Sequence, residues 1–147
     1  MSHSYTPPDI SLVGAEHVRR YLETDGAVGH TWNGVHCLVL TTTGRTSGLQ
    51  RSSALIYGTD ADRYIVVASN GGSAGHPSWY LNVLAGPEVV LQVAADRFPA
   101  VAHTAEGPER ERLWQVMTKV WPNYDVYQER TERLIPVVVL ERKDSPS

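Results

Sequence analysis

The sequence predicts an α+β fold, a small antiparallel β-barrel of about six strands with three or four helices packed outside it. Short β-branched, apolar runs recur along the chain and are broken by Gly, Pro, Asn and Asp, the pattern of paired strands and tight connections. Strands do not alternate one-for-one with helical segments, which argues against a doubly wound parallel sheet. At 147 residues, 41% apolar and 20% charged, the chain can build one core without disulfides or a structural metal.

Val18, Tyr21 and Leu22 recur at helical spacing within residues 15–25, and Gly26 follows where a left-handed terminator sits most easily. Residues 35–43 are extended, residues 44–48 break the run, and residues 50–57 extend it again. A tight connection at 59–62 leads into the apolar strand 64–68, so three antiparallel strands are expected in succession. Residues 69–76, rich in Gly and Ser, form a loop, and Pro77 opens a short helix ending near Gly86 and Pro87. Strands follow at 89–93 and 98–105. Pro108 then opens a helix with early Glu109 and Glu111 and a buried stripe of Leu113, Val116, Met117 and Val120. Pro122 ends it, Asn123 is a candidate cap for a short helix carrying Tyr124 and Tyr127, and Pro136 introduces a last strand at 137–140.

Residues 1–14 read as a loose, polar tail and residues 15–143 as a single domain. The tail lacks the apolar stretch of a signal peptide, and no run approaches the ~20 apolar residues of a membrane span. A formal charge of -3 gives no basic face for nucleic acid. Cys37 is the one cysteine, which excludes an internal disulfide, a CxxC redox pair and a thiolate cluster and suits a reducing cytoplasm. It lies in an apolar run and reads as a small buried residue rather than a nucleophile. Six scattered histidines, His3, His17, His30, His36, His76 and His103, give no metal-ligand pattern. Ser69 or Ser73 with His76 lacks the elbow motif of a hydrolase.

Three segments are candidates for chemistry. In residues 41–48 and 51–53, glycines admit backbone amides to an anion, hydroxyls donate, and Arg45 and Arg51 add charge. This reads as a phosphate or carboxylate cradle, or as a hairpin connection with two solvated arginines. In residues 68–82, Gly71 and Gly72 leave room for a flat ring and the helix start offers free amides; the alternative is a surface loop before a core helix. In residues 121–127, Trp121, Tyr124 and Tyr127 repeat at every third position, which suits either a wall for a flat substrate or a core stripe.

Together these segments resemble the deazaflavin-dependent nitroreductases, also described as F420-dependent quinone reductases, of actinobacteria. The resemblance spans about residues 21–141. It is carried by residues 38–45 with Ser47 and Gly48, by 66–69 with Gly71 and Gly72, by His76, Pro77, Trp79, Tyr80 and Asn82, and by Tyr124, Tyr127, Gln128, Thr131 and 135–137. It implies a split β-barrel of the FMN-binding kind, in which Arg45, Thr46, Ser47, Gly48 and Arg51 hold the phosphate and acidic tail of coenzyme F420. Ala68, Ser69, Asn70, Gly71, Gly72, Pro77, Trp79 and Tyr80 would lie beside the deazaflavin ring, and Trp121, Tyr124 and Tyr127 would line the substrate side. The family often carries a basic residue where Thr46 and Asn70 stand, a proline at Ala54 and in some members tyrosine at Trp121.

With neither paired thiols nor a metal-ligand pattern in the chain, reduction is expected to be performed by a bound organic cofactor. The resemblance implies hydride transfer from reduced F420 to a quinone, nitro-aromatic or activated alkene, with Tyr124, Tyr127 or Ser69 hydrogen-bonding the acceptor. An FMN-dependent split barrel and a non-catalytic coenzyme carrier are the alternatives. The expected partner is a small-molecule acceptor rather than nucleic acid, and the assembly a monomer or homodimer.

Overall fold

The computed structural model describes residues 4–143; residues 1–3, with His3, lie outside them. Eight strands, not six, form the sheet, in the order β1-β2-β6-β7-β8-β5-β4, with β3 paired to β2 off this path. The long strands, β2 (Val35–Thr43), β3 (Gln50–Ile56), β5 (Arg63–Val67), β6 (Glu88–Val93), β7 (Asp96–Thr104) and β8 (Val137–Arg142), fall where the apolar runs predict them. The additions are β1 (Thr31–Trp32) and β4 (Gly58–Asp60), too short to show a period-two pattern. Every pairing is antiparallel.

β5 pairs with β4 and β8 rather than with β3. The chain runs along β2 as β3, turns at Tyr57 and joins β5 as β4, so one segment links β2, near one end of the strand path, to β5, near the other, and curls the sheet into a barrel. Gly58 sits at that turn against α3, and a Cβ there would lie 2.7 Å from the Met117 sulfur.

The strands at the barrel's centre are buried on both faces, which explains their unbroken apolar sequence. Val66, Val138 and Leu140 point inward with Leu38, Leu40, Leu91 and Phe98. Their neighbours Ile65, Val67, Val137 and Val139 point outward against α3 (Gly107–Val120) and α4 (Asn123–Glu129), meeting Leu113, Met117, Trp121 and Tyr124. The buried stripe of α3 is rotated from the expected one: Arg110, Leu113, Trp114 and Met117 are buried, whereas Val116 and Val120 are half-buried. α4 covers that side and draws Trp114 inward, its Nε1 donating to Asp125 Oδ1 at 3.0 Å.

α1 (Gly14–Thr24) is fixed to the barrel by Tyr21, which is fully buried; its hydroxyl donates to the Cys37 carbonyl at 2.9 Å and accepts the Ala94 N–H at 2.7 Å. α2 (Ser78–Ala85) follows Pro77 as expected. Residues 4–13 carry no helix or strand, yet they are not loose. Thr6 exchanges two hydrogen bonds with the Asn123 amide, at 3.0 and 2.7 Å, and Asp9 exchanges two with Asn33, at 2.8 and 2.9 Å. Asn123 is thus the first residue of α4, and its side chain holds the N-terminal segment instead of capping the helix. No helix among the described residues is long and apolar enough to cross a membrane.

Candidate functional site

The turn between β2 and β3 is closed on itself. Gly44 N–H donates to the Leu49 carbonyl at 2.7 Å, Gly48 N–H to the Gly44 carbonyl at 2.9 Å, and Leu49 N–H to Ser47 Oγ at 3.2 Å. A Cβ on Gly44 would lie 2.6 Å from Ser47 Oγ, and Gly48 has φ +71°, so both glycines are needed for this geometry. The turn bounds a polar cavity of about 470 Å³ lined by Gly44, Arg45, Thr46, Ser47, Arg51, Ser52, Ser53, Ser78, Trp79 and Asn82. Asn82, buried on α2, fixes Arg45: its Oδ1 accepts the Arg45 backbone N–H at 3.2 Å and Nη1 at 2.8 Å, while its amide donates to Thr42 Oγ1 at 3.1 Å. Among the described residues, no carboxylate forms an ion pair with Arg45 or Arg51.

A second cavity, of about 280 Å³, continues along β3 from Ala54 to Ile56. Trp121, Tyr124 and Tyr127 line it from α4 and the residues before it, Ser69 and Gly71 from the glycine loop, and His17, Trp32 and Cys37 are among the rest. Trp32 and Trp121 approach to 5.6 Å between ring centroids, and Tyr124 and Tyr127 to 6.1 Å. Burial holds the Tyr124 hydroxyl well above the ordinary phenol range, so it is a hydrogen-bond donor and not an ionised base. Burial also pushes the Cys37 thiol up to about 12, which makes it inert beside any electrophile in the cavity.

The glycine loop stands between Ala68 and α2. Asn70, Gly71 and Gly72 all have positive φ, at 48°, 64° and 83°, forming one tight left-handed turn. Gly72 is pressed onto α4, where a Cβ would lie 2.6 Å from the Tyr127 carbonyl; Gly71 has open space beside it. The carbonyls of this loop are collected by arginines from beyond α4: Arg130 Nη1 reaches Gly71 O at 3.3 Å, and Arg133 reaches Ala68, Ser69 and Ser73. His76 Nδ1 accepts from Arg133 at 3.0 Å, and its pKa lies below the ordinary value through burial first and the nearby guanidinium second.

The structure therefore brings Arg45, Thr46, Ser47, Arg51 and Trp79 to one cavity and Ser69, Gly71, Trp121, Tyr124 and Tyr127 to the other. It does not bring Tyr80, whose hydroxyl pairs with Thr104 Oγ1 at 2.8 Å and which lines a separate cavity with His76. Gly48, Ala68, Asn70, Gly72 and Pro77 shape the turns around the two cavities without lining either. Sequence reasoning missed Arg133, which reads as part of a solvated charge run, and His17 and Trp32, which come from segments distant in the chain. Asn82 carried a signal, a lone amide on an otherwise apolar helix.

The model of the F420H(2)-dependent quinone reductase family matches residues 13–142. The chain belongs to that family. An F420H(2)-dependent quinone reductase of Mycobacterium tuberculosis (strain ATCC 25618 / H37Rv) is 41% identical over 127 residues, covering 84% of this chain and 85% of the relative. A solved structure described as an F420-H2 dependent reductase is 42% identical, with a TM-score of 0.67, covering 71% of this chain and 93% of that one. Another, described as a domain-swapped dimer, is 39% identical with a TM-score of 0.70, covering 86% and 95%. A putative pyridoxamine 5'-phosphate oxidase of Listeria innocua, at 15% identity and a TM-score of 0.52, shares the barrel fold. Every residue that lines the two cavities of this quinone reductase family member falls within the matched residues.

Proposed function

We propose that this protein is an F420-dependent reductase in which the polar cavity takes the anionic tail of the coenzyme and the apolar cavity takes its ring together with a flat acceptor. The observation that carries this reading is the order along β3. Arg51 to Ser53 line a cavity with two arginines that no described carboxylate neutralises, and Ala54 to Ile56 line one walled by aromatics. A long molecule, acidic at one end and flat at the other, matches that order. The guanidinium groups and turn hydroxyls suit phosphate and carboxylate oxygens, and Gly71 leaves its side of the ring site bare.

Reduced F420, when bound, supplies the hydride. The protein's part is orientation and electrostatics. Tyr124 keeps its proton and donates to the acceptor oxygen that gains charge, and Tyr127, whose hydroxyl accepts from Trp121 Nε1 at 3.5 Å, lies alongside it. Ser69 supports the same wall from the loop side. A quinone that takes up a hydride needs one further proton to become a quinol, and water delivers it past the open side of the cavity. Nitro-aromatics and activated alkenes fit the same flat space. The buried, unreactive Cys37 suits a reducing cytoplasm, and the domain-swapped relative favours a homodimer, which light scattering on the eluting protein checks.

Titration with F420 and FMN, followed by anaerobic oxidation of reduced F420 by menadione, tests the reading. Tighter binding of F420 and enzyme-dependent oxidation are expected. Tighter FMN binding would replace the coenzyme assignment, and F420 binding without acceleration would leave a carrier.

A further inference from the structure

The Arg133 guanidinium spends all its hydrogen-bonding capacity on one loop. Nε donates to Ser73 O at 2.9 Å; Nη1 donates to Ala68 O at 3.3 Å and His76 Nδ1 at 3.0 Å; Nη2 donates to Ala68 O at 3.3 Å and Ser69 O at 2.8 Å. These five contacts equal the five N–H groups that a guanidinium possesses. The acceptors are carbonyls and a neutral imidazole, so no described carboxylate recruits the side chain to this place.

Arg133 is itself held by α4. Gln128 Nε2 donates to the Arg133 carbonyl at 2.8 Å, and Gln128 Oε1 accepts the Ile135 N–H at 3.0 Å. α4 carries Tyr124 and Tyr127, and the loop packed against it carries Ser69 and Gly71; all four line the apolar cavity. Asn70, Gly71 and Gly72 enter the left-handed region at little cost, but glycine has many other conformations open to it, so outside contacts are needed to hold the run in this one.

We propose that Arg133 is a positioning residue that sets how the glycine loop is seated against α4, and with it the shape of the apolar cavity that both line. Arg133 itself lines neither of the two cavities. It fixes the glycine loop against α4 through a fork that lysine, with three donors on one nitrogen, cannot reproduce. The inference rests on the functional reading given above for what enters the cavity, but not for the shape of the loop itself.

Two variants, Arg133→Ala and Arg133→Lys, test it in full-length protein. In coenzyme-free protein, amide exchange at Gly72, whose N–H donates to Ser69 O at 2.9 Å, should accelerate at least about tenfold in both, with exchange in β5 and β8 unchanged. F420 affinity and kcat should each fall at least about tenfold, and added guanidinium ion, but not methylammonium, should restore both in Arg133→Ala. Wild-type exchange at Gly72 in a folded Arg133→Lys protein, or equal rescue by methylammonium, would overturn the proposal. Failure of the wild-type protein to bind F420 would overturn the functional reading and leave the exchange test of Arg133 intact.

Discussion

Asn82 Oδ1 accepts two hydrogen bonds from one residue, the backbone N–H and the guanidinium Nη1 of Arg45. The buried amide thereby aims a positive charge from a solvent-exposed turn into the polar cavity. Asn82→Ala leaves Thr42 Oγ1 and the Arg45 N–H without their partner, which destabilises by about 1–3 kcal/mol, and it frees Arg45 to move. F420 affinity should drop about tenfold. Asn82→Asp keeps the acceptor but neutralises the charge, so it should weaken binding further and flatten its dependence on salt. Titrations at two ionic strengths distinguish the two.

The two loop glycines should respond differently to alanine. At Gly71 the new Cβ enters open space and meets only the left-handed backbone penalty, about 1–2 kcal/mol. At Gly72 the same penalty is joined by a Cβ 2.6 Å from the Tyr127 carbonyl and 2.9 Å from the Arg130 Cβ, so α4 must shift. Gly72→Ala should therefore lower the thermal midpoint more than Gly71→Ala and also reduce turnover, since α4 carries Tyr124. Equal midpoints for the two variants would contradict this packing.

Tyr124 is buried, and its hydroxyl stays protonated throughout the accessible pH range. Tyr124→Phe removes a donor without opening a cavity. Loss of one charge-stabilising donor costs about 10²-fold in turnover where the donor acts on developing charge. We expect kcat to fall to that extent with little change in F420 affinity, and the wild-type rate to show no alkaline limb from this group. Stopped-flow oxidation of reduced F420 measures both.

His76 makes the loop sensitive to acid. Its Nδ1 accepts from Arg133, which requires the neutral ring, and burial together with that guanidinium holds its pKa below 6.5; the Tyr80 ring lies 4.9 Å away, and Arg110 and Glu106 share the adjacent cavity. A histidine whose folded pKa is lowered binds fewer protons folded than unfolded. Its stabilisation is complete above the unfolded value of about 6.5 and is lost as pH falls from there through the folded pKa. His30, lowered by burial and by His36, acts in the same direction. His76→Gln, which keeps an acceptor that does not titrate, should lose less stability than wild type as pH falls below about 6.5 in urea unfolding.

Much of this arrangement is legible in the sequence because its signals are local. The Gly44 and Gly48 turn, the Asn70 to Gly72 run and the Trp121, Tyr124 and Tyr127 repeat are chemical patterns contiguous in the chain. What escapes is non-local or short. β1 and β4 are set by their partners rather than by periodicity, and the β3 to β4 segment links β2 to β5 for reasons that only closure supplies. Arg133 lies some sixty positions from the carbonyls it binds, and nothing beside it distinguishes it from the exposed Arg130. Tyr80 misleads for the converse reason, since its neighbour Trp79 lines the polar cavity while helical rotation turns Tyr80 to the other side.

Two asparagines clamp the N-terminal segment beside the apolar cavity. Asn123 and Asn33 each pair with a backbone peptide as another strand would, donating to one carbonyl and accepting from one N–H. Trp32 Nε1 adds a bond to the Leu12 carbonyl at 2.7 Å. The result is that Tyr5 lies 6.1 Å from Tyr127, with Arg130 over the Tyr5 ring at 4.7 Å, and that Val13 and Gly14 border the apolar cavity. None of these contacts reaches Arg45, Arg51 or the polar cavity. Replacing both asparagines by alanine should therefore release residues 4–13, seen as faster cleavage by a nonspecific protease, and raise the acceptor KM by about fivefold per lost clamp. F420 affinity should stay within about twofold of wild type. A parallel loss of coenzyme binding would mean that the segment supports the whole groove rather than its acceptor end.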